Sequence, residues 1–208
     1  MDKRMRIVLA TKNAGKAREI SSILEGAGVE LVTLAEYPEL ELPPETGETF
    51  RENALAKARF TSAATGLPAL ADDSGLEVDA LGGRPGVRSA RYAGAGATDR
   101  ENYEKLLAEM KGVPMESRGA RFRCAVAFVG PGGPGGIEEL FEGSFSGSIS
   151  EEPRGRGGFG YDPVFIVPGR GITVAELPPG EKDRLSHRAK ALEAFKVFLI
   201  GRKREKKS

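Results

Sequence analysis

The stretch Leu70-Ala71-Asp72-Asp73-Ser74-Gly75-Leu76 constrains the fold most, because an apolar run ends there in two adjacent carboxylates. Such a strand end can present acidic ligands to Mg²⁺, which commonly takes one or two carboxylates together with substrate phosphates. Successive side chains of a strand point to opposite faces, so at most one of Asp72 and Asp73 is expected to face the site unless the strand has already turned. Asp, Ser and Gly are also common turn residues, and the stretch alone fits a solvated turn equally well.

Composition predicts one globular domain, with the possibility of two lobes. The chain has 208 residues, of which 39% are hydrophobic and 29% charged, enough to bury one core. We expect the domain to cover residues 1–200 and to be followed by a frayed basic tail at 201–208. The net charge of +1 argues against a general nucleic-acid binder. A single cysteine excludes an intrachain disulfide, and the absence of a membrane-length apolar run or a signal peptide predicts a cytoplasmic protein.

The first candidate binding segment follows a short apolar run at Arg6–Ala10 that predicts a buried strand. The polar turn Thr11–Lys16 comes next, and apolar residues at helical spacing follow it. A strand, a polar turn and a helix N terminus with two lysines can hold a phosphate. The segment is not a Walker loop, since Ala10 and Ala17 stand where that motif needs Gly and Ser or Thr. Solvated lysines in a first helical turn are the alternative interpretation.

Capping boxes and alternation predict the remaining architecture. Thr49 and Glu52 begin a helix that reaches about Thr65, and Thr98 and Glu101 begin another that ends near Gly112. Residues 120–129 alternate as a half-buried strand and form a hairpin with a strand at 138–145. Hairpin strands mixed with helical crossovers predict an α/β fold with a mixed sheet flanked by helices.

Two further segments carry candidate chemistry. The glycine-rich run at 155–163 permits close backbone approach to a ligand, and Phe159 or Tyr161 offers a face on which a base can stack. The alternative is a structural turn before a strand at 164–167, in which the Phe159 side chain only fills apolar space in the core. Residues 181–188 open the last predicted helix and include His187, the single histidine, for which a hydrogen-bonded structural role is the usual interpretation.

Together these segments resemble the Ham1-like inosine triphosphate pyrophosphatases. Five motifs carry the resemblance, in order along nearly the whole chain: TKNAGK, ETGETFRENALAKA, LADDSGLEVDALGGRPGVRSARYAG, GRGGFGYDPVF and EKDRLSHRAKAL. The resemblance implies an α/β fold with a mixed, elongated central sheet flanked by helices, in two lobes with the active-site cleft between them. It also implies Mg²⁺-dependent cleavage of ITP, dITP and XTP to the monophosphate and pyrophosphate by a homodimer, which cleanses the nucleotide pool.

The resemblance further implies individual roles. Glu45 and Asp73 would hold the metal, and Asp73 would also accept the proton of the attacking water. Relatives often carry another acidic residue where this chain has Pro44, so the metal has one carboxylate fewer nearby and the role of Glu45 is less certain than that of Asp73. Lys182, His187 and Arg188 would lie near the 6-oxo purine. The implied substrate-binding residues are Thr11, Lys12, Asn13, Ala14, Gly15, Lys16, Lys57, Ser74, Phe159, Gly160, Tyr161, Asp162, Lys182, His187 and Arg188.

Two other classes of function are compatible with parts of the sequence. A nucleotide-binding module without chemistry would need the phosphate loop but not Glu45 and Asp73 together. A nucleic-acid-binding protein could use the basic tail and the arginines at 84, 88 and 91, but the charge balance argues against it. We expect no nucleic-acid partner and no membrane. The runner-up is a related pyrophosphatase that prefers pyrimidine or modified nucleotides.

Overall fold

A computed structural model describes residues 4–132, 136–178 and 180–205, with the side chains of 203–205 outside the description. The helices in this part of the chain are α1 (Ala14–Ile23), α2 (Phe50–Thr65), α3 (Asp99–Glu109), α4 (Lys182–Leu185) and α5 (His187–Glu205). Its strands are β1 (Met5–Leu9), β2 (Val29–Thr33), β3 (Ala69–Val78), β4 (Gly119–Val129), β5 (Glu138–Ile149) and β6 (Phe165–Ile166).

The strands form one mixed sheet in the order β2-β1-β3-β4-β5-β6. Strand β1 pairs in parallel with β2 and β3, whereas β5 and β6 are antiparallel. The predicted α/β class with a mixed sheet is therefore confirmed. No helix among the described residues is long and apolar enough to cross a membrane.

Local sequence sets the starts of two helices as predicted. Thr49 caps α2 and Thr98 caps α3, each in a reciprocal capping box with the glutamate three residues later. Gly66 ends α2 at φ 69°, a left-handed conformation that glycine adopts without steric cost.

Several elements differ from the prediction. Strand β3 continues through the acidic pair to Val78, so the pair lies within a strand and not at its end. Strand β2 was not predicted. The last helix is interrupted at Ser186, whose ψ of 160° is extended, and this break separates α4 from α5. Helix α5 then continues to Glu205, past the boundary expected at residue 200, and residues 206–208 of the basic tail lie outside the described residues.

The described chain divides into two compact units. The first comprises the residues up to 73, residues 124–143 and the residues from 188 onward, and the second comprises 74–123 and 144–187.

The core of the first unit lies on both faces of its strands. Leu9 of β1 and Phe128 of β4 lie in a cluster with side chains of α1 and α5. The neighbouring Ala127 lies in a second cluster with Ala54 and Ala58 of α2. Alternate strand residues thus face different helices, as the period of two in a strand requires.

The second unit has its own core. Phe122 of β4 packs on Phe165 of β6 with ring centroids 4.4 Å apart, and Leu106 and Met110 of α3 belong to the same cluster. This cluster lies behind the glycine-rich turn, since Tyr161 is one of its members.

Candidate functional site

The acidic pair of β3 is divided between the two faces of the first unit. Leu70 packs in the cluster of α1 and α5, and Ala71 packs in the cluster of α2. Strand alternation then directs Asp72 to the side of α1 and α5 and Asp73 to the side of α2. The side chains follow this pattern, because Asp72 contacts residues of α1 and α5 and Asp73 contacts residues of α2.

Asp72 is the centre of a buried ionic network. Its Oδ2 lies 3.1 Å from Lys16 Nζ, 3.2 Å from Arg188 Nε and 3.0 Å from Arg188 Nη2. The other terminal nitrogen of Arg188 donates to Glu19. Burial favours a higher pKa for Asp72, but the charges of Lys16, Arg188 and Lys57 outweigh it and hold the pKa well below its ordinary value of 3.8. Asp72 is therefore ionised at neutral pH and fixes Lys16 of the predicted phosphate loop.

Asp73 has different partners and the opposite pKa shift. Its Oδ2 accepts a hydrogen bond of 2.9 Å from Asn53 Nδ2, and its Oδ1 lies 3.9 Å from Lys57 Nζ. Burial raises the pKa of Asp73 above its ordinary value of 3.8, against the attraction of Lys57. Adjacent carboxylates whose pKa values are pushed apart are typical of sites where one carboxylate accepts a proton and the other stays charged.

Lys57 joins the two predicted metal ligands. Its Nζ lies 2.5 Å from Glu45 Oε1 and also donates to the backbone carbonyl of Asp72 at 2.7 Å. Burial lowers the pKa of Lys57, but the carboxylates of Asp72, Asp73 and Glu45 raise it by more, so the pKa lies above its ordinary value of 10.5. The lysine is charged at neutral pH.

These side chains fit the Mg²⁺ ion that the resemblance implies. Glu45 and Asp73 lie around one cation, Lys57, and both offer the hard oxygen donors that Mg²⁺ prefers. The described residues contain no cluster of three or more His, Cys, Asp or Glu side chains that could hold a metal by themselves. Two carboxylates with the remaining positions left for substrate phosphates and water suit Mg²⁺ and do not suit a closed zinc site.

The predicted phosphate loop connects β1 to α1. Asn13 caps the helix, since its Oδ1 accepts from the Lys16 backbone N–H at 3.0 Å, and its own N–H donates to Thr11 Oγ1 at 3.2 Å. Lys12 and Asn13 are exposed. The first turn of α1 carries no acidic residue, so its backbone N–H groups and nearby lysines form a locally positive end.

In the second unit, Lys182 is fixed on the glycine-rich turn. Its Nζ lies 2.5 Å from Asp162 Oδ2 and 4.2 Å from the centroid of the Phe159 ring. The same Asp162 oxygen accepts from the Phe159 backbone N–H at 2.9 Å. One carboxylate thus positions both the aromatic ring and the cation over it.

The rest of this cluster is also anchored. His187 is buried and stacks on Phe122 with ring centroids 4.9 Å apart and an interplanar angle of 15°. Tyr161 Oη donates to the Ser89 carbonyl at 2.8 Å, and the Gly160 N–H donates to Asp99 at 2.7 Å. The turn is therefore held at several points.

Comparison with known proteins adds a decisive observation. A family model described as the Ham1 family matches residues 7–198, which is most of the chain. The chain belongs to the Ham1 family. The resemblance inferred from five sequence motifs is thereby confirmed.

Individual relatives of this Ham1 chain are similar over nearly their whole length. A protein of Geobacillus kaustophilus named dITP/XTP pyrophosphatase is 56% identical over 186 residues, 89% of this chain and 90% of the relative. A Thermus thermophilus protein of the same name is 56% identical over 191 residues, 92% and 90% of the two chains.

Solved structures of Ham1 and dITP/XTP pyrophosphatase proteins are also similar to this chain. A HAM1 protein from Coxiella burnetii superposes with a TM-score of 0.86 at 42% identity and covers 95% of this chain and 99% of its own. A structure described as nucleoside-triphosphatase / dITP/XTP pyrophosphatase from Mycobacterium abscessus has a TM-score of 0.74 at 50% identity, with 92% and 98% coverage.

The Ham1 chain places its predicted site residues in two groups. The first unit contains the phosphate loop Thr11–Lys16, Glu45, Lys57, Asp73 and Arg188, and the second contains Ser74, the turn 159–162, Lys182 and His187. Arg188, which is expected near the purine, has a buried guanidinium that contacts Asp72 and Glu19. Its contact with the base, like the other substrate contacts, stays a prediction.

Sequence reasoning did not assign several residues of this Ham1 site. Asn53 lies one helical turn before Lys57, and the sequence motifs assign it no role. The signal that could have identified it is its amide side chain on the face of α2 that carries Lys57. Phe122 under His187 and Asp99 beside Gly160 lie far from their partners in sequence, and no local signal marks them.

Proposed function

We propose that this Ham1-family enzyme, a nucleoside triphosphate pyrophosphatase, hydrolyses ITP, dITP and XTP between the α and β phosphates. The products are the nucleoside monophosphate and pyrophosphate, and the reaction removes non-standard purine nucleotides from the pool. The observation that carries the proposal is the pair of carboxylates around Lys57, one of them Asp73 with a raised pKa. The relatives named dITP/XTP pyrophosphatase support the substrate class.

The triphosphate is bound by the positive end of α1. Backbone N–H groups of the first turn and the ammonium of Lys16 offset the phosphate charge, as helix N termini and lysines do in other phosphate sites. Asp72 holds Lys16 in place before substrate arrives. Lys57 adds a second fixed positive charge beside the two candidate metal ligands.

Glu45 and Asp73 hold Mg²⁺ in this proposal. When bound, the ion supplies positive charge to the phosphate oxygens and to the leaving pyrophosphate. Asp73 accepts the proton of the attacking water, while the Asn53 amide holds the Asp73 carboxylate by a hydrogen bond to Oδ2.

The base is recognised by the cluster in the second unit. A purine stacked on the covered face of Phe159 takes the position that the Lys182 ammonium occupies in this structure. Lys182 and His187 then offer donors to the 6-oxygen of hypoxanthine or xanthine, whereas adenine has an amino donor at that position. A site built to hydrogen-bond one group can reject its unmatched analogue by about 10⁴-fold or more.

A nucleotide panel tests the proposal. The purified protein is incubated with ITP, dITP, XTP, ATP, GTP and UTP, with Mg²⁺ or with EDTA, and pyrophosphate and orthophosphate are measured separately. We expect pyrophosphate and IMP from ITP with Mg²⁺, and little product from ATP or GTP. Release of orthophosphate and IDP would refute the proposal that the bond between the α and β phosphates is cleaved. A preference for UTP would favour the alternative function, a pyrophosphatase that prefers pyrimidine nucleotides.

The proposal includes a homodimer. Size-exclusion chromatography with light scattering should give twice the mass of one chain, and the mass of a single chain would contradict it. The cytoplasmic location stays a prediction.

A further inference from the structure

We propose that Asn53 is the positioning residue of the candidate metal site. Its buried amide links the loop that carries Glu45 to the strand that carries Asp73, and it holds the Asp73 carboxylate in one orientation. The inference rests on the proposed function, because it concerns the two carboxylates that bind Mg²⁺ there. Nothing in the sequence motifs or in the names of relatives assigns this role to Asn53.

The amide of Asn53 uses both of its ends. The residue lies in the first turn of α2 and is 2% exposed. Its Nδ2 donates to Asp73 Oδ2 at 2.9 Å, and its Oδ1 accepts from the Gly47 backbone N–H at 2.8 Å. The orientation of the amide is unambiguous, since the Gly47 N–H needs an acceptor and the Asp73 carboxylate needs a donor.

On the loop side, the contact requires glycine at position 47. A Cβ there would lie 2.7 Å from Asn53 Oδ1 and 2.8 Å from Glu52 Cβ, closer than such atoms approach. The backbone N–H groups of Glu48 and Thr49 also donate to Glu52 Oε2, at 2.7 and 3.2 Å. The loop is thus bound to the first turn of α2 two residues after Glu45, and this contact sets where Glu45 can reach.

On the strand side, Asn53 sets the orientation of the Asp73 carboxylate. Oδ2 receives the amide hydrogen bond, and Oδ1 is the oxygen that faces the Lys57 ammonium. The same ammonium contacts Glu45, so Oδ1 lies on the side of the second carboxylate. Removing the donor frees the carboxylate to rotate. Hydrogen-bond partners of metal ligands are typically worth about 10- to 100-fold in metal affinity or activity.

A buried asparagine can also serve stability alone, and Asn102 provides a matched control. It lies near the start of α3, is 2% exposed, and accepts from the Ala93 backbone N–H at 2.8 Å. The Asn102 Nδ2 donates to the Ala90 carbonyl at 3.2 Å. Asn102 therefore resembles Asn53 in burial and bonding, but its amide donates to a backbone carbonyl and not to a carboxylate. Loss of stability is expected for both residues, and loss of metal affinity only for Asn53.

The experiment compares the unmutated chain with Asn53→Ala, Gly47→Ala and Asn102→Ala. Binding of Mn²⁺ alone is measured by electron paramagnetic resonance, thermal unfolding by circular dichroism, and pyrophosphate release from ITP by a coupled assay. We expect Asn53→Ala to weaken Mn²⁺ binding by about tenfold or more. Gly47→Ala would place a Cβ 2.7 Å from Asn53 Oδ1, so it disturbs the contact between the loop and the amide from the loop side, and it should weaken Mn²⁺ binding in the same direction. Asn102→Ala should lower Tm and leave the Mn²⁺ dissociation constant within about twofold.

Several results would overturn the inference. Mn²⁺ affinity within about twofold of the unmutated chain in Asn53→Ala would show a structural role only. If Asn53→Ala does not fold, the Mn²⁺ affinity of Gly47→Ala is used instead, and a value within about twofold of the unmutated chain would likewise show a structural role only. An equal loss of Mn²⁺ affinity in Asn102→Ala would show a general effect of destabilisation. Pyrophosphate release by the unmutated chain without any Mn²⁺ binding would overturn the metal site and the positioning role but leave the proposed cleavage of ITP to pyrophosphate standing, whereas absence of release would overturn that activity itself.

Discussion

Replacing Lys57 with Met removes the cation between two carboxylates and tests how the site is stabilised without metal. The Lys57 and Asp73 side chains are only 7% and 6% exposed, and Glu45 is 28% exposed. After the substitution, Glu45 and Asp73 lose their shared counter-charge and repel each other in a poorly solvated place. We therefore expect a less stable protein whose stability depends on divalent cations.

The magnitude follows from burial. Removing one partner of a buried ion pair costs about 3–5 kcal/mol. Because Glu45 is partly exposed, the lower value of about 3 kcal/mol is expected for this site. For a chain of 208 residues, about 2–4 °C of Tm is lost per kcal/mol, which gives a decrease of about 6–12 °C. Mg²⁺ should recover part of this decrease, since it can take the place of the ammonium between the carboxylates.

Thermal unfolding in EDTA and in Mg²⁺ measures both effects. Arg59→Met is a matched control on the same helix, because Arg59 pairs with Glu138 on the surface with side chains 56% and 36% exposed. An exposed pair is worth about 0–1 kcal/mol, so this variant should change Tm little and show no added response to Mg²⁺. Equal decreases in the two variants, or a Mg²⁺ response in Lys57→Met no larger than in the unmutated chain, would refute the reasoning.

Three further predictions follow from the site. Asp73→Asn should reduce turnover of ITP by about 10²–10⁴-fold in steady-state kinetics, and a larger loss in Asp72→Asn would mean that the other carboxylate is the base. The folded-state pKa of Asp72 lies below its ordinary value of 3.8, so its ionised form stabilises the fold above that pH and the contribution is lost as pH falls below it. In urea unfolding, the stability difference between the unmutated chain and Asp72→Asn should therefore shrink on acidification below pH 3.8, and a constant difference would contradict this account. Lys182→Ala and His187→Ala should narrow the ITP-over-ATP ratio in kcat/KM, whereas equal losses on both nucleotides would exclude base recognition.

Elements with local signals were predictable from the sequence. The capping boxes at Thr49 and Thr98 need only residues three positions apart, and both helices begin where expected. The alternation along β4 needs only the period of a strand. Strand β2 lacks such a signal, because it has only five residues, one of them the charged Glu30, and they acquire their conformation by pairing with β1. No local sequence signal predicts the break between α4 and α5 at Ser186 either. This break depends on where the buried Ser186 and His187 pack.

The sequence by itself determined the types of groups that the site contains: two adjacent carboxylates, lysines near a helix start, and an aromatic ring in a glycine-rich turn. Only the tertiary structure decided which carboxylate meets which cation. Asp72 contacts Arg188 across 116 positions, and Arg188 contacts Glu19 across 169. The direction of a pKa shift depends on burial and on charges within a few ångströms, and these distances are fixed by the packing of α1, α2 and α5 on the strands. That packing sends Asp72 to two cations that keep it ionised and Asp73 to an amide and a shared lysine, so neighbours in sequence become chemically different groups.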